Sequence, residues 1–152
     1  MIELVTLSSE DWSLWRDLRL RALAEAPYAF GSTLVAWENA PEERWRERLD
    51  LPDALNVIAK IDDEAVGMAT GASFDGTLEL ISMWVAPEAR GRGVGDALIV
   101  RISRWARERG ATELRLAVVA HNANAVRLYL RHGFVDVGPS DEVGERAMSK
   151  PL

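Results

Sequence analysis

The sequence predicts an α/β domain in which a central mixed, mostly antiparallel twisted sheet holds one parallel pair of strands between flanking helices. Three observations predict it. Strand-like runs at 55–61, 65–74 and 77–85 are separated by Asp62-Asp63-Glu64 and by Asp75-Gly76, turn signals that fold a chain into an antiparallel meander. An apolar run at 78–85, a glycine-rich turn at 90–95, an amphipathic segment to Gly110 and a second apolar run at 113–119 then follow in that order, and a strand–helix–strand crossover makes its two strands parallel. Apolar residues at helical spacing in 12–26 and 122–132 supply further helices. At 152 residues the chain is expected to form one domain, 1–152, large enough to bury a core without disulfides or metal.

Taken in order, Ile2, Leu4 and the alternation through Leu7 give a first strand, and Ser8 and Asp11 offer helix-start chemistry. Trp12, Trp15, Leu18 or Arg19, Ala22, Leu23 and Ala26 share a helical face, which Pro27 ends, so the tryptophans are expected in the core. A loop follows, and Pro41 opens a short helix carrying Glu42, Glu43, Trp45 and Leu49. Phe30, Trp37 and Trp45 are candidates for an acceptor pocket, with core packing as the alternative. Strict alternation along the central strand puts Glu79, Ile81, Met83 and Val85 on one face and Leu78, Leu80, Ser82 and Trp84 on the other. Glu79 therefore interrupts an apolar face. A carboxylate there is costly to desolvate unless it borders a cleft or has a partner, which makes it a candidate acid or base. Val94, Leu98, Ile102 and Trp105 form the apolar stripe of the next helix, whose arginines are expected on its solvated face and whose C-cap is Gly110. A strand at 113–119, a helix from Asn122 to His132 capped by Gly133, and two closing strands joined by a turn at 139–144 complete the chain.

The segment Arg90-Gly91-Arg92-Gly93-Val94-Gly95-Asp96 is an anion turn. Alternate glycines leave the backbone bare, so successive N–H groups of Gly91, Gly93, Val94, Gly95 and Asp96 can face a ligand at the positive end of the following helix. The Arg90 and Arg92 guanidinium forks suit phosphate oxygens. The Gly-Lys-Ser/Thr ending of a P-loop is absent, as is Gly-x-Gly-x-x-Gly.

Arg90-x-x-Gly93-x-Gly95 after a strand ending Val85-Ala86-Pro87, with Asn122-x-x-Ala125-x-x-Leu128-Tyr129 and Gly133-Phe134 downstream, resembles the two ordered cofactor signatures of the GCN5-related N-acetyltransferase (GNAT) superfamily. The resemblance is firm from Leu78 to Phe134 and looser before. It implies a GNAT-like fold whose parallel strands splay apart around the pantetheine arm of acetyl-coenzyme A. Backbone groups of Met83, Trp84 and Val85 would then meet the pantetheine amides, and Asn122 would add a hydrogen bond or simply cap its helix. The implied function is transfer of an acetyl group from acetyl-coenzyme A to a primary amine, by direct attack in a ternary complex, with Tyr129 as general acid toward the departing thiolate. Glu79 is the candidate base. No metal is called for, and His121 and His132 are read as structural. Ribosomal-protein alanine acetyltransferases of the superfamily carry a catalytic glutamate where this chain aligns Ala117, so that chemistry is not expected. The acceptor is a small-molecule, peptide or protein amine. A module that holds acetyl-coenzyme A or coenzyme A without catalysis is the alternative, and a nucleotide-binding module a weaker one. Dimers are common in the superfamily, but no residue here specifies one.

Composition narrows the classes further. There is no cysteine, which excludes a thiol nucleophile. The net charge of −6 argues against non-specific nucleic-acid binding and is compatible with a cationic amine. The N-terminus lacks the pattern of a signal peptide and no apolar run reaches membrane-spanning length, so a cytoplasmic protein without membrane association is expected.

Overall fold

A computed structural model describes residues 1–26 and 33–152. Strands β1 (Ile2–Leu7), β2 (Leu55–Ile61), β3 (Glu64–Phe74), β4 (Thr77–Val85), β5 (Glu113–Val119), β6 (Val135–Pro139) and β7 (Glu145–Pro151) form one sheet in the order β1-β2-β3-β4-β5-β7-β6. Every neighbouring pair is antiparallel except β4–β5, which is parallel. Helices α1 (Trp12–Glu25), α2 (Leu34–Trp37), α3 (Glu42–Leu49), α4 (Val94–Glu108) and α5 (Ala123–Arg131) accompany the sheet, with short 3-10 turns at Ser9–Asp11 and Pro87–Ala89. The mixed sheet with flanking helices expected from the sequence is thus present. The four-residue α2, which Thr33 caps by accepting a bond from the Ala36 amide at 3.2 Å, was not anticipated because it is too short to show a period.

Local chemistry sets the element ends. Ser8 and Asp11 form a capping box over a short 3-10 turn at Ser9–Asp11, and α1 starts immediately after. The β2–β3 turn at Asp62 and Asp63, like the β3–β4 turn at Asp75 and Gly76, has two consecutive left-handed residues. That geometry matches the twist of a two-residue hairpin.

The sheet buries both faces. On one face α4 lies close to β3 because Gly67 and Gly71 carry no side chain. A β-carbon on Gly71 would stand 2.6 Å from the Trp105 ring, and one on Gly67 would stand 2.8 Å from Val94 Cγ1. Leu98, Ile99 and Ile102 of α4 are fully buried there. On the other face α1 contributes Trp15, Leu18, Ala22 and Leu23, and α3 contributes Trp45 and Leu49. Trp15 and Trp45 are among the largest fully buried side chains, as core packing requires. Among the described residues no helix is long and apolar enough to cross a membrane.

One departure from the expected alternation matters for the site. The β3–β4 register slips: Met68 faces Trp84, but Thr70 faces Ile81. β4 therefore carries an extra residue between those pairs, a β-bulge in which Ser82 is left-handed at φ 54°. Glu79 and Ile81, opposite Ala72 and Thr70, lie on the face to which Trp84, opposite Met68, also belongs. Met83 and Val85 are turned to the α4 face, where the Met83 methyl would be 3.6 Å from a β-carbon on Gly95. The expectation that Glu79, Ile81, Met83 and Val85 share one face is corrected accordingly, since a bulge resets a two-residue period.

Candidate active site

β4 and β5 are paired only at Glu79 and Arg115. Beyond that point they part, and the opening leads to a cavity of about 520 Å³ walled by Met83, Trp84 and Val85 of β4, the turn from Ala89 to Asp96, and α5. The splay expected from the sequence is therefore present, and it leaves one edge of β4 without a strand partner at the cavity.

The turn is shaped by two left-handed glycines, Gly91 at φ 78° and Gly93 at φ 86°. Gly93 is the N-cap residue of α4 and supplies no side-chain cap. The first intrahelical bond runs from the Ala97 amide to the Gly93 carbonyl at 3.0 Å, so the amides of Val94, Gly95 and Asp96 precede the helix's own acceptors. Free amides at the positive end of a 15-residue helix make an anion site. A β-carbon on Gly95 would come within 2.9 Å of Leu128 Cδ2, which shows how closely α4 and α5 approach beside the cavity.

Two charged residues of the turn, Arg90 and Asp96, are already engaged. Arg90 Nε donates to the Val85 carbonyl at 3.0 Å, and its Nη2 reaches both oxygens of Glu25 at 3.0 and 3.1 Å. Glu25 also accepts from Trp84 Nε1 at 2.8 Å, so the last turn of α1 is tied to β4 and to the turn. The Asp96 carboxylate accepts from Arg131 Nη2 at 2.8 Å and meets His132 Nε2 at 2.6 Å. These bonds hold the Asp96 carboxyl below its ordinary range and join the start of α4 to the end of α5. Its charge is thereby balanced beside the anion turn.

On α5, Asn122 accepts from the Ala125 amide at 3.3 Å as an N-cap and also lines the cavity. Tyr129 lines it too; the residue is only 7% exposed, and burial pushes its hydroxyl above the ordinary phenol range. The ring packs edge-on against Phe134, with centroids 5.7 Å apart.

Met83, Trp84, Val85, Arg90, Gly91, Gly93, Val94, Gly95, Asp96, Asn122 and Tyr129 all line the one cavity. Arg92 is exposed and does not line it. Glu79 does not line it either. Glu79 stands at the β4–β5 pairing, where partial burial raises its carboxyl and the Arg115 charge opposes that rise. Phe30 lies outside the described residues. Trp37 is half-buried against Trp45 at 4.7 Å, with the Arg44 guanidinium 4.0 Å from its ring, and is not part of the cavity wall. Trp45 is 1% exposed and belongs to the core. Leu128 of the downstream signature lines the cavity too, and so do Arg127 and Arg131, which were not singled out beforehand; the amphipathic period of α5 signalled one apolar face but not that a cavity runs along it. The roles of Glu25 and of Arg48 were likewise missed, because their partners are far away in sequence.

Residues 12–134 match the model of the Acetyltransferase (GNAT) family. The chain is 33% identical over 112 residues to the IAA acetyltransferase of Azospirillum brasilense, covering 70% of this chain and 73% of that protein. It is 31% identical over 109 residues to the aminoglycoside N(6')-acetyltransferase type 1 of Klebsiella aerogenes, covering 66% and 68%. Among solved structures, the PaiA N-acetyltransferase of Thermoplasma acidophilum in complex with coenzyme A superposes with a TM-score of 0.81 at 20% identity, over 100% of this chain and 99% of that one.

Proposed function

Because the chain belongs to the GNAT acetyltransferase family, we propose that residues 1–152 act as one N-acetyltransferase domain that moves the acetyl group of acetyl-coenzyme A to a primary amine. The observation that carries this reading is the cavity between the parted strands, bounded by the α4 N-terminus at one wall and by Tyr129 at another. A pyrophosphate meets the amides of the 91–96 turn, with Arg92 free to swing toward it and Arg90 reaching it if it exchanges Glu25 for phosphate oxygens. The pantetheine arm runs along the unpaired edge of β4 as an added strand would.

A primary amine near its ordinary pKa of ~10 is mostly ammonium at neutral pH, so a base must take a proton before attack. Glu79, whose carboxyl is raised by burial, does so through water, because it does not itself line the cavity. The amine nitrogen then attacks the thioester carbonyl carbon, and a backbone N–H of β4 near Met83 to Val85 stabilises the oxyanion. As the tetrahedral intermediate collapses, the carbon–sulfur bond breaks, Tyr129 donates its proton to the departing sulfur, and the second proton lost by the attacking nitrogen passes through water to restore the phenol. The raised Tyr129 hydroxyl remains protonated at neutral pH and available for that donation.

Calorimetric titration with acetyl-coenzyme A, followed in the same cell by a panel of small amines and amine-bearing peptides, tests the proposal. Cofactor binding with coenzyme A released upon one amine is the expected result. Binding with no release by any amine points instead to a non-catalytic coenzyme A-holding module, and no binding overturns the site.

A further inference from the structure

Arg48 projects from α3 across three strands, donating to Asn56 Oδ1 at 3.0 Å, Thr70 Oγ1 at 3.1 Å and Ser82 Oγ at 2.9 Å. All three acceptors are neutral, and no carboxylate among the described residues forms an ion pair with this guanidinium. The Trp15 ring lies 5.1 Å from it on another side. Arg19 of α1 stands near enough for the two positive charges to oppose each other, and burial brings both guanidinium groups down to about 10. A buried cation is ordinarily matched by an acid. The chain carries 24 acidic residues against 18 basic ones, so scarcity of acids does not explain why Arg48 is held by neutral groups alone.

Their position is informative. Ser82, which Arg48 grips, is the left-handed bulge residue of β4, and backbone held in that region stores strain that recurs at functional sites. The next residue, Met83, lines the cavity. The residue that Arg48 holds is thus the strand neighbour of one in the wall where the thioester is proposed to react.

We propose that Arg48 receives a carboxylate carried by the amine acceptor, so that the acceptor class is an amino acid or a similar amine-bearing acid. This rests on the acetyl-transfer reading above. A planar carboxylate matches the guanidinium fork, and it would supply the missing negative charge while directing the amine toward β4.

The test is steady-state acetylation of common amino acids, each matched with its carboxamide and, for the best one, its aminophosphonate. The expected result is an acid preferred over its carboxamide by about 10- to 100-fold in kcat/KM, residing in KM, as loss of a charge-assisted pair predicts. Arg48→Gln should collapse that preference by raising KM for the acid. Carboxamides used as well as acids overturn the proposal while leaving acetyl transfer standing, and so does an aminophosphonate preferred over its acid. An equal fall for both substrate classes in Arg48→Gln shows a merely structural arginine. Should that variant not fold, the comparison of substrates with the unaltered protein decides by itself. If acetyl-coenzyme A binds but no amine of any class is acetylated, the transfer reading falls and this proposal falls with it.

Discussion

Tyr129 and Glu79 are titratable groups pushed in the same direction by the same cause with different consequences. Burial raises the Tyr129 hydroxyl, so a proton donor persists and no alkaline limb of the rate profile near the ordinary phenol value belongs to it. Tyr129→Phe keeps the ring packing on Phe134 and removes only the hydroxyl; turnover should fall about 10²- to 10⁴-fold with acetyl-coenzyme A affinity retained, checked by steady-state rates beside calorimetry. Loss of affinity in step with turnover would refute a proton-donor role. For Glu79 the sign is as follows: its folded carboxyl is raised above the ordinary value, so its contribution to stability is present at low pH and is lost as pH rises through the raised value. Glu79→Gln should consequently be no less stable than the parent at neutral pH. Its turnover should nevertheless drop, and the acidic limb assigned to the base should vanish from the pH–rate profile; an unchanged profile would remove Glu79 from the mechanism.

Among the elements, α4 is fixed on both sides by close contact. Its packing on β3 depends on Gly71, where a β-carbon meets the Trp105 ring at 2.6 Å. Gly71→Ala should destabilise the fold by about 1 to 3 kcal/mol, the range for overpacking, read as a lower urea midpoint with unchanged slope. Its link to α5 runs through Asp96, Arg131 and His132. Asp96 is depressed in the folded state, so its contribution is present above the ordinary aspartate range and is lost as pH falls through the lowered value. The carboxylate is 42% exposed, and solvent screening limits the effect: Asp96→Asn should lose under about 1 kcal/mol at neutral pH. The gap between the two proteins should close in acid, which denaturation at a series of pH values would reveal. A gap independent of pH would assign the loss to packing instead.

Over the whole molecule, the cavity joins β4, the turn and α5, so a ligand seated there braces parts that the sheet leaves joined only at Glu79 and Arg115. Acetyl-coenzyme A at 100 times its Kd should stabilise the folded state by about 2.7 kcal/mol. For a chain of this size that is a rise in Tm of roughly 5 to 10 °C, measurable by thermal shift; no rise at saturation would contradict binding to the folded protein. Much of this organisation was legible beforehand. Hairpins at Asp62-Asp63 and Asp75-Gly76, the α4 stripe and the 90–96 turn rest on chemistry between near neighbours, and such chemistry is written in spacing. The bulge at Ser82 was not legible, because a register slip is settled by what β3 and α3 place against β4 rather than by any local preference of serine. For the same reason the pairing of Arg90 with Glu25, 65 residues apart, and the meeting of Arg48 with Thr70 and Ser82 escaped notice. Period, turn chemistry and chirality were enough to read the order of the longer elements, the parallel crossover and the glycine turn from the residues alone. Which side chains face the cavity, and which partner each charge meets, emerged only on folding, because those depend on contacts between distant segments.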